Sequence, residues 1–174
     1  MNFLSHYSSP LGPMTLTSDG EALTGAWFDE RNRFADRLAN DAVERDLPIF
    51  TETGRWLDVY FSGREPEFMP NISFGAAGSF RRAVWELLRA IPYGETVTYG
   101  SLAKQLANPR MSAQAVGGAV GRNPISIIVP CHRVVGANGS LTGFGGGIQR
   151  KLALLKLEGI DTAKFSIPKR GTAL

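Results

Sequence analysis

The sequence predicts an α/β (α+β) protein in two parts, with a strand-rich first part and a mainly helical second part. Short segments rich in β-forming residues, separated by turns, lie in the region before residue 30. From residue 79 onward, apolar residues recur at the spacing of amphipathic helices. Residues 68–78 contain Pro and Gly, no charge and no periodicity, which predicts a linker. We therefore expect domains over residues 1–75 and 79–174.

Three strands are expected near the N-terminus, at residues 4–7, 14–17 and 23–28. Asp19-Gly20 lies between the second and third strands, and Asp-Gly is a frequent hairpin turn. Residues 31–46 are polar with a thin apolar stripe, which predicts an exposed helix. Residues 52–61 predict a second helix, which Ser62-Gly63 ends. Its apolar face consists of Trp56, Leu57, Tyr60 and Phe61.

The second part begins and ends with predicted helices. Ser79 is a candidate N-cap for a first helix, which Pro92-Tyr93-Gly94 ends. Residues 125–129 are apolar and predict a buried strand, and residues 139–147 form a loop with five glycines. A last helix is expected over residues 148–158, stopped by Gly159. It would turn Leu152, Leu155 and Leu157 to the core.

Two short helices between these elements predict a helix-turn-helix. Thr98 is the candidate cap of one helix, through residue 106, and Ser112 that of another over residues 113–120. Asn108-Pro109 breaks the chain between them. Gly117-Gly118 costs about 1 kcal/mol per Gly relative to Ala in a helix, a cost that close approach of another backbone would explain.

Composition limits the possible settings and functions. The net charge is +3, but residues 1–78 carry −6 and residues 79–174 carry +9. Such a split indicates a basic part that faces a polyanion, the alternative being chance drift of surface charge. The sequence contains neither an apolar run of membrane-spanning length nor a secretory signal pattern. One cysteine excludes an internal disulfide and a multi-cysteine zinc site, so we expect a cytoplasmic protein without a metal or other cofactor.

Cys131 is the first candidate for chemistry. Pro130 ends the apolar segment before it, and His132 and Arg133 follow it. A thiol beside cationic side chains can ionise below its usual pKa of about 8.5, and the thiolate is the nucleophile. A lone cysteine is otherwise more often a small buried hydrophobe. Because consecutive side chains diverge on a strand, His132 needs a turn or a bridging water to reach the sulfur.

Six further positions allow a functional or an ordinary interpretation. Glu158 either orients His132, giving a Cys–His–Glu relay, or is an exposed acid near Lys151 and Lys156. Asn123 either bonds across the turn into the strand or is an ordinary turn residue. Tyr99 either packs in the core or presses on a nucleic-acid backbone. Three arginines either contact phosphates or lie solvated at the surface, namely Arg110, Arg122 and Arg133.

The segment Pro130-Cys-His-Arg-Val-Val135 resembles the active-site signature of the O6-alkylguanine-DNA alkyltransferases. Other segments agree in the family's order, namely residues 79–85, 91–100, 115–119, 123–124 and 146–159. The resemblance is strong over about residues 79–160. It covers residues 1–75 in outline, as the family's N-terminal ribonuclease-H-like domain.

The resemblance implies a suicide repair reaction on double-stranded DNA. Cys131 would take the alkyl group from O6-alkylguanine, and in some cases O4-alkylthymine, after the nucleotide flips out of the duplex. His132 would be the base through a water, Glu158 would hold its imidazole and Asn123 would brace the site. Tyr99 would help to extrude the nucleotide and to protonate guanine. A monomer that can cluster on DNA is expected.

The same resemblance implies a binding surface in the minor groove. The helix over residues 112–120 would enter that groove, where small side chains permit close approach. The implied substrate- and DNA-binding residues are Ala113, Gln114, Ala115, Gly117, Gly118, Arg110, Arg122, Arg133, Val134, Phe144, Gly145, Gly146 and Lys151. Main-chain groups at Cys131 and Val134 would read the guanine edge, and the loop over residues 141–147 would close over the base.

Three positions depart from the family's pattern. Gln114 stands where the family usually has the arginine that replaces the flipped base, and Arg110 is a candidate to compensate. Phe144 replaces a loop tyrosine, and Gly145 replaces an occasional serine. Two other functions stay open from the residues alone: a helix-turn-helix regulator whose cysteine senses alkylation or oxidation, and a cysteine hydrolase that turns over.

Overall fold

The computed structural model describes residues 2–29, 42–106 and 112–168. The chain forms two compact units, Met1–Gly75 and Ala76–Leu174. The first combines a sheet with one helix, and the second is mainly helical with one small sheet. The mixed α+β class predicted from the sequence is therefore confirmed. Among the helices of the described segments, none has the length and apolar character needed to span a membrane.

The first unit is built on a four-stranded sheet. Its strands are β1 (Phe3–Ser9), β2 (Gly12–Ser18), β3 (Leu23–Phe28) and β4 (Val43–Glu44), in the order β3-β2-β1-β4. The first three are antiparallel neighbours and confirm the strands expected before residue 30, whereas β4 runs parallel to β1. The helix expected over residues 31–46 is wrong at its end, because β4 occupies part of it. Residues 30–41 lie outside the described segments.

One helix packs on this sheet. Helix α1 (Pro48–Phe61) starts with proline at its first turn, where the missing N–H costs nothing, and ends before Ser62 as expected. It buries the apolar face predicted for it at Trp56, Leu57 and Tyr60.

The expected linker is wrong over its first half. The N–H of Leu23 donates to the carbonyl of Asn71 at 2.8 Å, and the N–H of Ser73 donates to the carbonyl of Leu23 at 2.9 Å. These bonds add residues 71–73 to the edge of β3, so the segment belongs to the first unit. Its lack of periodicity reflects irregular pairing at a sheet edge.

Four α-helices and two short strands lie in the described part of the second unit. They are α2 (Ser79–Arg89), β5 (Val97–Thr98), α3 (Tyr99–Gln105), α4 (Ala113–Val120), β6 (Val134–Val135) and α5 (Ile148–Leu157). Thr98 and Ser112 accept the capping hydrogen bonds predicted for them, from the N–H groups of Ser101 and Ala115. The cap predicted at Ser79 is wrong, because Gly78 occupies the N-cap position and Ser79 is helical.

Helices α3 and α4 form the expected helix-turn-helix pair, although the connection containing Asn108-Pro109 lies outside the described segments. The indole N–H of Trp85 on α2 donates to the carbonyl of Ala119 at 2.9 Å and ties α4 to the unit. Around the Cβ positions of Gly117 and Gly118, no backbone of another described element lies within 4 Å, so approach of a ligand's backbone stays open as the reason for these glycines. A Cβ at Gly117 would meet the Tyr99 ring at 3.7 Å, and one at Gly118 would meet the guanidinium of Arg122 at 3.5 Å.

The strand predicted at residues 125–129 is wrong. The segment is buried, but it forms a tight turn in which the N–H of Val129 donates to the carbonyl of Ile125 at 3.0 Å. Ile127 has a φ of 73°, a left-handed conformation that a β-branched residue rarely adopts. Two parallel strands, β5 and β6, pair beside it.

Candidate active site

Cys131 opens a single 3₁₀ turn, Cys131–Arg133, between the buried turn and β6. Pro130 precedes it, and its carbonyl accepts the N–H of Arg133 at 3.0 Å. All three side chains of the 3₁₀ turn are buried. Successive residues of a 3₁₀ helix are rotated by about 120°, so Cys131 and His132 do not point to opposite faces as they would on a strand. The turn that a Cys–His pair requires is therefore present.

The Cys131 thiol is only 6% exposed, and burial raises its pKa above the ordinary value. A hydrogen bond from the Asn123 side chain and the positive charge of Lys151 act in the opposite direction. The expectation that this thiol ionises below its usual pKa is wrong for the resting protein, because desolvation of a thiolate outweighs the neighbouring charges.

His132 and Glu158 are in direct contact. The imidazole Nε2 and the carboxylate Oε1 are 2.6 Å apart, and both side chains are fully buried. Burial raises the pKa of Glu158, but hydrogen bonds from His132 and Arg133 hold it at about 2. Because the ionised carboxylate only accepts, His132 donates through Nε2. Burial lowers the pKa of His132 and keeps it neutral, despite Glu158.

The structure thus decides between two interpretations of Glu158. It is not the exposed acid near lysines, since only 6% of the residue is accessible. It is the C-cap residue of α5, and the N–H of Gly94 donates to its Oε2 at 3.1 Å. An acid at a helix C-terminus opposes the helix dipole, so these donors compensate an unfavourable position.

Arg133 is not placed to contact phosphate. Its Nε donates to Oε2 of Glu158 at 2.9 Å, its Nη2 donates to Oε1 at 3.1 Å, and its Nη1 donates to the carbonyl of Ile91 at 2.6 Å. The guanidinium also lies 5.6 Å from the centre of the Tyr93 ring. The prediction of a phosphate contact at Arg133 is therefore wrong, because these internal acceptors engage all three guanidinium nitrogens.

Asn123 is buried and holds the turn before Cys131. Its Nδ2 donates to the carbonyls of Val129 at 2.8 Å and Ile125 at 3.3 Å, and its Oδ1 accepts the N–H of Ile125 at 3.0 Å. One side chain therefore joins the two ends of the turn that contains Ile127. This is more than an ordinary turn asparagine does.

Tyr99 and Lys151 share one acceptor on the glycine-rich loop. The hydroxyl of Tyr99 and the Nζ of Lys151 each donate to the carbonyl of Thr142 at 2.8 Å. Lys151 also donates to the carbonyl of Val134, and its Nζ lies 5.9 Å from the centre of the Tyr99 ring. Burial raises the pKa of Tyr99 to about 12. Gly143 is required here, because its φ is +72° and a Cβ would lie 3.0 Å from the Tyr99 hydroxyl.

Lys151 is the residue whose surroundings sequence reasoning missed. Its side chain is fully buried and not on an exposed surface, and the substrate- or DNA-binding role implied for it stays a prediction. Burial lowers the pKa of Lys151 to about 8, although the Cys131 charge favours its protonation. A signal was present in the sequence: position 151 lies on the helical face that contains Ile148 and Leu155.

The glycine-rich loop covers His132. The ring of Phe144 is buried and meets the imidazole edge-on, with ring centres 6.4 Å apart. Gly145 is exposed, whereas Gly146 is buried and its carbonyl accepts a hydrogen bond from Arg150 at 3.1 Å. The loop thus reaches the same group of side chains as Cys131 and Glu158.

The remaining predicted binding residues lie on or beside α4. Ala113 and Gln114 are exposed and Ala115 is half-buried. Arg122 is exposed and its Nη1 donates to the carbonyl of Gly118 at 3.1 Å. Arg110 lies outside the described segments. Among the described residues, no group of three His, Cys, Asp or Glu side chains could hold a metal ion.

Comparison with known proteins identifies both halves of the chain. Residues 3–74 match the ribonuclease-like domain of 6-O-methylguanine DNA methyltransferase, and residues 79–160 match its DNA-binding domain. The methylated-DNA–protein-cysteine methyltransferase of Haemophilus influenzae is 44% identical over 91% of this chain and 87% of its own length. The Methanosarcina acetivorans protein of that name is 45% identical over 88% and 96%.

Solved structures agree. The crystal structure of Mycobacterium tuberculosis O6-methylguanine methyltransferase superimposes with a TM-score of 0.80 at 41% identity, over 98% of this chain and 97% of that one. The fold and the site define a two-domain protein with a ribonuclease-like domain and a DNA-binding domain that contains the buried cysteine. The chain belongs to the 6-O-methylguanine DNA methyltransferase family, which confirms the resemblance found in the sequence.

Proposed function

We propose that this protein repairs O6-alkylguanine in double-stranded DNA by irreversible transfer of the alkyl group to Cys131. The observation that carries the proposal is the buried contact of His132 with Glu158 beside the single cysteine, in a chain of this family. A DNA complex of the Mycobacterium tuberculosis relative, with a TM-score of 0.80 at 41% identity over 94% of each chain, supports DNA as the partner.

The first step removes the thiol proton. His132 is neutral and donates through Nε2 to Glu158, so Nδ1 is the ring atom that can accept a proton, here through a water from Cys131. Glu158 holds the ring in this tautomer, as the acid of a catalytic triad does. The positive charge of Lys151 and the Asn123 amide stabilise the thiolate that forms.

The second step transfers the alkyl group. The thiolate sulfur attacks the alkyl carbon, an S–C bond forms and the C–O6 bond breaks. The electron pair of the broken bond stays on guanine, which takes a proton relayed by Tyr99 and leaves as the ordinary base. Main-chain groups of Cys131 and Val134 read the guanine edge. The product is an S-alkylcysteine, so each molecule acts once.

DNA would bind through α4 in the minor groove. The exposed start of this helix has small side chains at Ala113 and Ala115, which allow close approach, and Gln114 between them fills the space of the flipped nucleotide. Arg110 and Arg122 contact phosphates, and Phe144 to Gly146 close over the base. The domains over residues 1–75 and 79–174 act as one cytoplasmic monomer that can cluster on DNA.

The test is an intact-mass measurement after incubation with duplex DNA that contains O6-methylguanine. A gain of one methyl in place of the thiol hydrogen, on the peptide that contains Cys131, is expected. Cys131→Ala and unmethylated duplex are the controls, and duplexes with O4-methylthymine and bulkier O6-alkyl groups define the range. No mass gain would refute the proposal, and product beyond one equivalent would indicate a hydrolase instead.

The mode of binding has its own test. Cys131→Ser binds without reacting, so its affinity for a methylated duplex can be measured with and without a minor-groove ligand. Competition by that ligand, and increased fluorescence of a 2-aminopurine beside the lesion, are expected for minor-groove binding with base flipping. Protection of one preferred sequence in footprinting would favour a helix-turn-helix regulator.

A further inference from the structure

Glu158 is held by more donors than a His–Glu pair requires. Each carboxylate oxygen has two partners: Oε1 accepts from His132 and from Nη2 of Arg133, and Oε2 accepts from Nε of Arg133 and from the N–H of Gly94. The Arg133 contact is the two-pronged arrangement that fixes the plane of a carboxylate. The imidazole and the guanidinium thus share Oε1, and the guanidinium also donates to Oε2.

Arg133 is itself anchored away from the thiol. Its Nη1 donates to the carbonyl of Ile91 at 2.6 Å, and its guanidinium lies 5.6 Å from the centre of the Tyr93 ring. Gly94, from the same α2–β5 connection, donates to Glu158. The guanidinium therefore ties the end of α5 to this connection at a fixed position, with 10% of its side chain exposed.

From this geometry we infer that Arg133 is a positioning residue. It acts through Glu158 on His132, which is the proton acceptor. Arg133 neutralises the carboxylate through both oxygens, one of which it shares with the imidazole, and thereby keeps the imidazole uncharged in the resting protein. The inference deepens the proposed function and rests on it, because it names a residue that sets the basicity of His132 for alkyl transfer.

The electrostatics around His132 agree with this geometry. Burial lowers the pKa of His132 most, Glu158 raises it, and the positive charges of Arg133 and Lys151 lower it. The charged groups that act on the ring are Arg133 from its own turn, Lys151 from α5 and Glu158 at the C-cap of α5. Cys131 precedes the ring in the same turn, Tyr93 lies against the guanidinium of Arg133, and Tyr99 lies against the Nζ of Lys151. Without Arg133, an unneutralised carboxylate would face the imidazole and favour its protonation.

The first measurement is an NMR titration, which needs no DNA. The chain has two histidines, so His6 in the first unit is an internal reference for His132. In Arg133→Gln we expect the His132 titration to move upward by about one pH unit relative to wild type. In Arg133→Lys, which keeps the charge, a smaller shift is expected. Coincident His132 titrations in wild type and Arg133→Gln would overturn the inference.

A double variant tests whether Arg133 acts through Glu158. The upward shift of the His132 titration needs the Glu158 carboxylate. In the double variant Arg133→Gln/Glu158→Gln this shift should be absent, and His132 should titrate at the wild-type pH or lower. An upward shift that persists in the double variant would contradict the proposed route. Because this variant removes both charges together, it leaves no unpaired buried ion and is the one expected to fold best.

The second measurement is the single-turnover rate of alkyl transfer against pH. Arg133→Gln should lose activity on the acidic side about tenfold more than on the basic side, since protonated His132 cannot accept the thiol proton. Arg89→Gln, which removes an exposed arginine from α2, is the matched control and should follow wild type. A rate lowered equally at every pH would show a merely structural role. Absence of transfer in wild type would refute the proposed function but leave the NMR result valid.

Discussion

Glu158→Gln tests the energetic role of the buried carboxylate. This change keeps the shape of the side chain and removes its charge, while the guanidinium of Arg133 stays in place. In the folded protein the Glu158 pKa is about 2 rather than the ordinary 4.5, although burial alone would raise it. The difference corresponds to about 3 kcal/mol of stabilisation at neutral pH. We therefore expect Glu158→Gln to lower the free energy of unfolding by about 3 kcal/mol.

The sign of the pH dependence follows from the depressed pKa. The stabilisation is fully present above pH 4.5 and is lost as the pH falls through 4.5 toward 2. In that window the wild type binds a proton on unfolding, so its unfolding free energy falls by up to about 1.4 kcal/mol per pH unit from this group. Glu158→Gln lacks this contribution, and its curve should be flatter.

Urea unfolding from neutral pH down to about pH 3 measures both quantities. The indole N–H of Trp85, bonded to the carbonyl of Ala119, reports on the second unit by NMR. Glu86→Gln is the matched control, since that side chain is 52% exposed and pairs only with Arg89 on the surface, where such pairs contribute little. Parallel curves for wild type and Glu158→Gln would refute the reasoning.

Three further substitutions test the site. Asn123→Ala leaves buried backbone groups unpaired and should cost about 2–3 kcal/mol in urea unfolding; less than about 0.5 kcal/mol would contradict the bracing role. Gly143→Ala puts a Cβ 3.0 Å from the Tyr99 hydroxyl and should slow alkyl transfer several-fold. A Cβ at position 145 would have no atom within 4 Å, so Gly145→Ala should not change the free energy of unfolding. Gln114→Arg should speed transfer in duplex more than in single-stranded DNA; equal gains would contradict its role in flipping.

Local signals in the sequence correctly predicted where two helices of the second domain begin. Thr98 and Ser112 cap α3 and α4, because a capping bond spans only three residues and is encoded where it forms. The contact of Glu158 with His132 was a weighed alternative from sequence, and the family resemblance favoured it. The caps needed no knowledge of distant contacts, whereas the His132–Glu158 pair joins residues far apart in the sequence and is favoured by the resemblance.

The surroundings of the buried cations could not be predicted in this way. The family resemblance implies substrate or DNA binding for Lys151 and Arg133, and the sequence alone favours a solvated position for a charged side chain. Lys151 donates to the carbonyls of Val134 and Thr142. Arg133 donates to the carbonyl of Ile91 and to the carboxylate of Glu158. Such partners are brought together only by tertiary folding.

The segment before Cys131 shows a second limit. An apolar run over residues 125–129 indicates burial but not backbone conformation, since a buried strand and a buried turn have the same composition. The side chain of Asn123 supplies the hydrogen bonds that a neighbouring strand would otherwise supply. These bonds pair backbone groups at both ends of the buried turn, which lowers the cost of burying it.

The charges of the site are arranged for an anion that exists only during the reaction. Glu158 and Arg133 already neutralise each other, whereas Lys151 is held by the carbonyls of Val134 and Thr142, which are dipoles rather than charges. Burial raises the pKa of the Cys131 thiol, so in the proposed reaction its thiolate would be the counter-charge that Lys151 gains once His132 has taken the proton. Alkylation removes that charge again. A fixed cation that is paired only with the reactive state stabilises that state selectively, because no reorganisation is needed when the charge develops.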